Sequence, residues 1–279
     1  GYAWQKGWAP VSRAALLRAI ELNDVAVDKN RRAFEYGRRI AVHGAPAAEQ
    51  SNPHRQDPPT LDEIIRDRVD LLTKYQDAAY AARYERAVER VRRVEAALGA
   101  GAATPLSSAV AHNLAKLMAY KDEYEVARLH SDPAFLQKLR ATFVGEPGKD
   151  YRLRFHLAPP LFSRRDAQGR LVKSSYGRWM QPALRLLAGL KKLRGGRLDP
   201  FGRTAERRME RRLIEEYFEM LEEFCETLSA DNRDAAVTLA RIPEQIRGYG
   251  HVKERSIAAA SLRREMLLNR YRTRVRLSA

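Results

Sequence analysis

Five arginines at the start of one helical pattern are the most conspicuous arrangement of reactive or charged residues in the chain. Arg203, Arg207, Arg208, Arg211 and Arg212 crowd the N-terminal end of a segment beginning near Ala205. Glu215, Glu216, Glu219, Glu222, Glu223 and Glu226 follow toward its C-terminal end. A helix carries partial positive charge at its N-terminus and negative charge at its C-terminus. This order therefore opposes the dipole, by roughly 0.3–1 kcal/mol per well-placed charge. External negative charge would account for it. Thr204, Arg207, Arg208 and Arg211 lie around one side of the first turns, so they are candidates to converge with free backbone amides on one phosphate or on a partner's carboxylates. The alternative is a helix buried through Met209, Leu213, Tyr217, Met220 and Phe224, with its arginines bridging to acidic helices elsewhere in the chain.

A second anion or acidic-partner candidate is Arg247-Gly-Tyr-Gly250-His251-Val-Lys253, which places glycines, an imidazole and two cations in one turn before a helix. Arg247, Gly250, His251 and Lys253 are the residues concerned. The plainer reading is a tight turn at Gly248 and Gly250, with Arg247 pairing a carboxylate. Lys121-Asp-Glu-Tyr-Glu125 could hold a general acid or base, or it could be the salt-bridged face of a helix. Arg152, Arg154 and His156 point to one side of an alternating segment, either as a basic surface for a partner or anionic ligand or as a polar outer face.

Other chemistry is not indicated. The six histidines are scattered with no His-x-x-x-His pair, so no metal site and no catalytic residue is assigned. The single cysteine, Cys225, excludes a disulfide within the chain. It also excludes an iron–sulfur cluster built from this chain alone, which takes about four thiolates. The net charge of +16 raises nucleic-acid binding. Against it, 35 acidic residues are interspersed among the 51 basic ones and only eleven of the latter are lysines, so few phosphate contacts would align and nucleic acid is not expected as a partner. No apolar run approaches the ~18 residues of a membrane span, and Gly1-Tyr-Ala-Trp4 has no signal-peptide features, so a cytoplasmic location without membrane contact is expected.

The elements that must position these residues are mostly helical. Ser12 caps a short helix with Leu16, Leu17 and Ile20 at helical spacing, and a second runs from about Val25 to Val42 with Val27, Phe34 and Ile40 inward. Gly44 to Pro59 carries four prolines and reads as a linker. Thr60-Leu-Asp-Glu63 is a capping box that opens a continuous helix to Leu98, about 57 Å long at 1.5 Å per residue. Another helix runs from Leu106 to about Leu129, and a short one from Pro133 to Phe143. From Tyr151 to Leu157 the period changes from 3.6 to 2, predicting a half-buried strand. A hairpin is expected next, Leu161–Arg165 with Arg170–Ser174, turning at 166–169. Helices follow at 179–193, 205–228, 232–242 and 252 to the end. The predicted fold is mainly α: a multi-helix domain with a small β-hairpin or strand insertion at about 150–175.

Specific strings within this order resemble a known family. Tyr2-Ala-Trp4-Gln-Lys6-Gly7 with Pro10-Val11-Ser12, and Asn30-Arg-Arg-Ala33-Phe34-x-x-Gly37-Arg38, resemble the end of the gamma-type domain of 2-oxoacid:ferredoxin oxidoreductases. Four further strings resemble the C-terminal extension of the fused, single-chain indolepyruvate branch: 116–129, 151–160, Asp199-Pro-Phe-Gly-x-Thr-Ala-Glu-Arg-Arg-Met209 and 243–254. The resemblance implies residues 1–42 as the tail of a gamma-type domain, 43–59 as a linker and 60–279 as a helical C-terminal domain. It also implies a parent reaction in which an arylpyruvate is decarboxylated on thiamine diphosphate with Mg2+. Electrons would pass through iron–sulfur clusters to ferredoxin, and the acyl group to coenzyme A. No diphosphate motif is present here and cysteines are too few. The cofactor sites are therefore expected upstream of Gly1, in catalytic domains of the same chain, with this segment inactive alone and the parent enzyme homo-oligomeric. The missing initiator Met agrees with that expectation. Two other readings remain: a free-standing basic helical protein that binds nucleic acid, and a regulatory module that binds CoA or another phosphate ligand.

Overall fold

The computed structural model describes the chain apart from residues 25, 45–58, 100–103, 143–144, 146–148, 151, 158–173, 249 and 279. The described residues form twelve α-helices and one two-stranded sheet, the mainly α fold with a small β insertion that the periodicities predict. The chain divides into two compact units, Gly1–Pro58 and Pro59–Ala279. The expected linker at 43–59 lies largely outside the described residues.

The first unit holds α1 (Tyr2–Gln5), α2 (Arg13–Asn23) and α3 (Val27–His43). Ser12 caps α2, its hydroxyl accepting from the Ala15 amide at 3.1 Å. The Trp4 indole donates to the Val11 carbonyl at 2.7 Å, lies 5.8 Å from the Phe34 ring and sits under the Arg38 guanidinium. A Cβ at Gly37 would come within 2.8 Å of the Tyr2 amide nitrogen, so only glycine lets α1 approach α3 this closely.

The second unit opens with the capping box as read: the Thr60 amide donates to Glu63 at 2.8 Å, and Thr60 Oγ1 accepts from the Glu63 amide at 3.3 Å. The single helix expected from Leu61 to Leu98 is two, α4 (Leu61–Tyr75) and α5 (Ala78–Ala97). Asp77 ends the run because its carboxylate accepts from the Tyr80 amide at 2.8 Å, starting α5 as a new helix. The terminal carbonyls of α4 are taken by cations: Lys191 Nζ donates to Lys74 O at 2.6 Å and Arg194 Nη1 to Tyr75 O at 2.6 Å. The helix expected from Leu106 to Leu129 likewise breaks, into α6 (Pro105–Met118) and α7 (Glu123–Ser131), where Asp122 caps the Glu125 amide at 2.8 Å.

After α8 (Pro133–Thr142) the strand is short. β1 (Phe155–Leu157) pairs antiparallel with β2 (Ser174–Tyr176), in register Phe155↔Tyr176 and Leu157↔Ser174. Exposure alternates from Arg152 to Leu157 as predicted, although only the last three residues make strand pairs. The strand's partner is Ser174–Tyr176 rather than nothing, so the insertion closes on itself; the separate hairpin at 161–174 falls outside the described residues except for Ser174. There follow α9 (Met180–Gly189), α10 (Ala205–Thr227), α11 (Arg233–Ala240) and α12 (His251–Ser278).

The main core joins α4, α5, α6, α10, α11 and α12 through Leu72, Tyr84, Val88, Leu114, Tyr217, Phe224, Leu239 and Tyr271. A second, smaller apolar cluster, Ala127, Phe155 and Leu184, fastens β1 between α7 and α9.

Candidate anion-binding surfaces

Most of the charges of α10 that oppose its dipole find partners inside the chain. Arg207 turns inward onto Glu123, with both its Nε and Nη2 within 3.4 Å of the carboxylate. Glu210 takes Lys253 at 2.5 Å, Glu216 takes Arg264 and Arg212 at 2.6 Å each, and Glu223 takes Arg272 at 2.7 Å. Glu215 and Glu222 meet Arg83 and Arg90 of α5. Burial pushes the Glu216 carboxyl up, but Arg264 and Arg212 outweigh it and hold the group below its usual range.

The four residues expected to converge on one anion are placed differently. Thr204 caps α10, accepting from the Arg207 amide at 3.3 Å, and Arg211 Nη2 donates to Gly202 O at 2.6 Å. Arg208 is exposed with no ion pair among the described residues. Nη1 of Arg207 and Nη1 of Arg211 are both enclosed without a hydrogen-bond partner among the described residues. Arg203 donates to Arg197 O at 3.1 Å.

The acidic string at 121–125 belongs to a buried polar knot. Asp122 receives Arg194 at two points, 2.5 and 3.0 Å, and the guanidinium lies 3.6 Å over the Tyr75 ring. Tyr124 donates to Asp199 at 3.1 Å, while Asp199 also takes the Gly195 and Phe201 amides at 2.8 and 3.0 Å. Glu125 pairs with Arg128. These carboxylates are committed to structure and none is placed as an open acid or base.

The turn at 247–253 is similar. Gly248 and Gly250 have φ of +89° and +52°, a left-handed backbone that favours glycine, and Gly250 O accepts the Glu254 amide at 3.0 Å. Arg247 Nε donates to the Glu244 carbonyl at 3.1 Å, not to a carboxylate. Lys253 goes to Glu210, and the His251 side chain lies outside the described residues. Lys116 reaches the Pro243 and Ile246 carbonyls at 2.6 and 3.2 Å; burial first, then the Arg247 charge, lowers its ammonium pKa.

Sequence reading did not join the residues of a cavity whose cations make no ion pair among the described residues. Its volume is about 1020 Å³, and it lies between α8, the β1–β2 pair and the start of α9. Arg140, Arg152, Arg154, Arg178 and Arg185 line it, with Leu136, Leu139, Leu153 and Phe155 as apolar wall and Gly145, Gly177, Ser175 and Gln181 between them. No carboxylate is among the described lining residues; Asp150 lies against Gly145 at one edge. The five guanidiniums are exposed and make no ion pair among the described residues. Arg152 and Arg154 carried a signal through their alternation, although His156, on the same side, is not part of the lining. Gln181 and Arg185 are one helical turn apart, as are Leu136 and Arg140, so each stripe is readable alone. Only the tertiary fold joins them.

A mainly helical unit with a basic, part-apolar cavity is the class of protein that fold and site define. Residues 61–266 match the family described as "Family of unknown function (DUF6537)", and the chain belongs to that family. No curated protein and no solved structure matches the chain. Among the described residues, no helix is long and apolar enough to cross a membrane, and no group of three or more His, Cys, Asp or Glu is placed to hold a metal ion.

Proposed function

We propose that this chain is a helical, non-catalytic module of an aryl-2-oxoacid:ferredoxin oxidoreductase, and that it receives an anionic ligand or acidic partner in the five-arginine cavity. The carrying observation is that cavity: five exposed guanidiniums with no carboxylate among its described lining residues, in a chain that pairs its buried Arg194 and Arg207 internally. The strings that resemble the family support the parent assignment, and they touch one another. Trp4 meets Val11 and Phe34, Lys116 meets Pro243 and Ile246, and Tyr124 meets Asp199.

In the parent reaction, thiamine diphosphate would supply the decarboxylation chemistry and iron–sulfur clusters the path to ferredoxin. The single cysteine of this chain does not fit an iron–sulfur cluster, and the sequence carries no thiamine-diphosphate motif. Cys225 is a lone thiol whose pKa burial raises, so no redox step is assigned to these residues. Coenzyme A and ferredoxin carry negative charge, and the cavity suits that sign. An extended nucleic acid would need a basic stripe along the surface, whereas these arginines are gathered in one concavity.

The test is Arg152→Gln with Arg178→Gln in the enzyme that contains this chain. The apparent KM for CoA or for ferredoxin should rise about tenfold with kcat nearly unchanged, the mark of lost binding rather than lost chemistry. Unchanged KM values for both, with normal assembly, would overturn the reading.

A further inference from the structure

We infer that the cavity between α8, the β1–β2 pair and α9 is a binding site for a nucleotide carrying two or more phosphate groups, with its base or acyl arm on the leucine–phenylalanine wall. The inference deepens the preceding proposal and rests on it for biological setting, but binding itself can be tested without it.

Charge comes first. Like charges in one concavity repel, and this chain has acidic residues to relieve them: Arg83, Arg90, Arg207, Arg264 and Arg272 each face a glutamate. Among the described residues the cavity arginines pair with none, and the Asp150 carboxylate stands beside Gly145 at the edge. A guanidinium presents a planar fork that matches two phosphate oxygens, and several forks in one place suit a ligand with several phosphates.

The backbone adds to the field. Helix α9, ten residues long, starts at this wall with no acidic residue in its first turn and no side-chain cap, so its positive end is not neutralised. Gly177, just before it, lines the cavity and presents no side chain to an approaching phosphate.

Size and lining separate a nucleotide from a bare anion. A volume of about 1020 Å³ is at the top of the ~300–1,000 Å³ range of cofactor and ligand sites, far more than one phosphate occupies. Leu136, Leu139, Leu153 and Phe155 offer an apolar surface that inorganic phosphate would not use. Phe155 is held there by the small core cluster, so the wall is preformed. Trp179 stands beside Gly177 with 65% of its surface exposed, within reach of the cavity's edge as a stacking surface and a fluorescent reporter.

The experiment titrates the intact chain with ADP, CoA, tripolyphosphate and adenosine, reading heat and tryptophan fluorescence at ~0.05 and ~0.2 M salt. ADP or CoA should bind at least about tenfold more tightly than tripolyphosphate, adenosine should not bind measurably, and affinity should fall with salt. Arg152→Gln with Arg178→Gln should weaken the nucleotide about tenfold with an unchanged thermal melt, since both side chains are exposed. Leu153→Asn should weaken the nucleotide and leave tripolyphosphate unaffected. Tripolyphosphate binding as tightly as either nucleotide, nucleotide binding indifferent to the double variant, or a poly-glutamate peptide outcompeting both nucleotides would each overturn the site. CoA or ADP bound as predicted, with the parent enzyme's KM values for CoA and ferredoxin unmoved by the double variant, would leave the nucleotide site standing and remove the proposed parent.

Discussion

Asp122 and Arg194 meet in a two-point ion pair in which each side chain is only 3% exposed. The pair closes the break between α6 and α7 against the end of α4, because the same guanidinium also donates to the Tyr75 carbonyl. Removing one partner leaves an uncompensated buried charge, at about 3–5 kcal/mol. Asp122→Asn, which keeps a side-chain cap for α7, should therefore lower unfolding stability by roughly that amount in urea titration. A loss below ~1 kcal/mol would show that the pair is better solvated than it stands here.

Glu95 is 1% exposed and accepts from the Leu106 and Ser107 amides, both at 2.8 Å, at the start of α6. It serves as a cap delivered from another helix. Glu95→Ala should cost roughly 1–3 kcal/mol for each amide left unsatisfied. Amide exchange offers the local check: protection should fall first at Leu106 and Ser107, and unchanged protection there would defeat the assignment.

Gly202 is enclosed against the Asp199 carboxylate, and a Cβ at this position would overlap it and approach Arg211 Nη1 to 3.3 Å. Gly202→Ala should displace Asp199 from Tyr124 and lower stability by about 1–3 kcal/mol, as overpacking does. An alanine variant as stable as the parent chain would mean that the Asp199 loop yields freely.

The buried phenols give an alkaline limit. Tyr75, Tyr84 and Tyr217 donate to the Tyr120, Ala111 and Ala240 carbonyls, and burial raises each phenol above its usual pKa, well into the alkaline range. A raised folded pKa means that the protonated form is the one the fold holds. The stability it contributes is complete below the ordinary phenol value of ~10 and is lost as pH rises from there toward the folded values. Circular dichroism should report unfolding in step with a late rise in phenolate absorbance. If every tyrosine instead titrated reversibly near ~10 with the helices intact, these three would not be buried as described.

Much of the fold was legible because its signals are local. Ser12, the Thr60–Glu63 box and the alternation from Arg152 to Leu157 each depend on residues within a few positions of one another. The two broken helices were missed for a physical reason. Apolar spacing continues in phase across Gln76–Asp77 and across Ala119–Asp122, so periodicity alone sees one helix. An aspartate capping the amide three residues ahead was the available cue at both Asp77 and Asp122. The reversed charge order of α10 was visible, but its partners were not: Glu123, Lys253, Arg83 and Arg272 come from three other elements, α7, α12 and α5. The cavity was only partly visible: Arg152 and Arg154 stood out through their alternation, but Arg140, Arg178 and Arg185 join them only when α8, β1 and α9 are brought together.

The ion pairs between α5 and α10 impose a rule on chain length. Arg83 meets Glu215 and Arg90 meets Glu222, so the partner advances by the same interval on both helices, which therefore run in the same direction with a shared register. One inserted residue would rotate everything beyond it by about 100° and carry the second arginine off its glutamate. A deletion would do the same in the opposite sense. Between these two contacts, a viable change of length in either helix must come as a near-whole number of turns matched in the other, so related chains should vary at the loops flanking α5 and α10 and keep this interval constant.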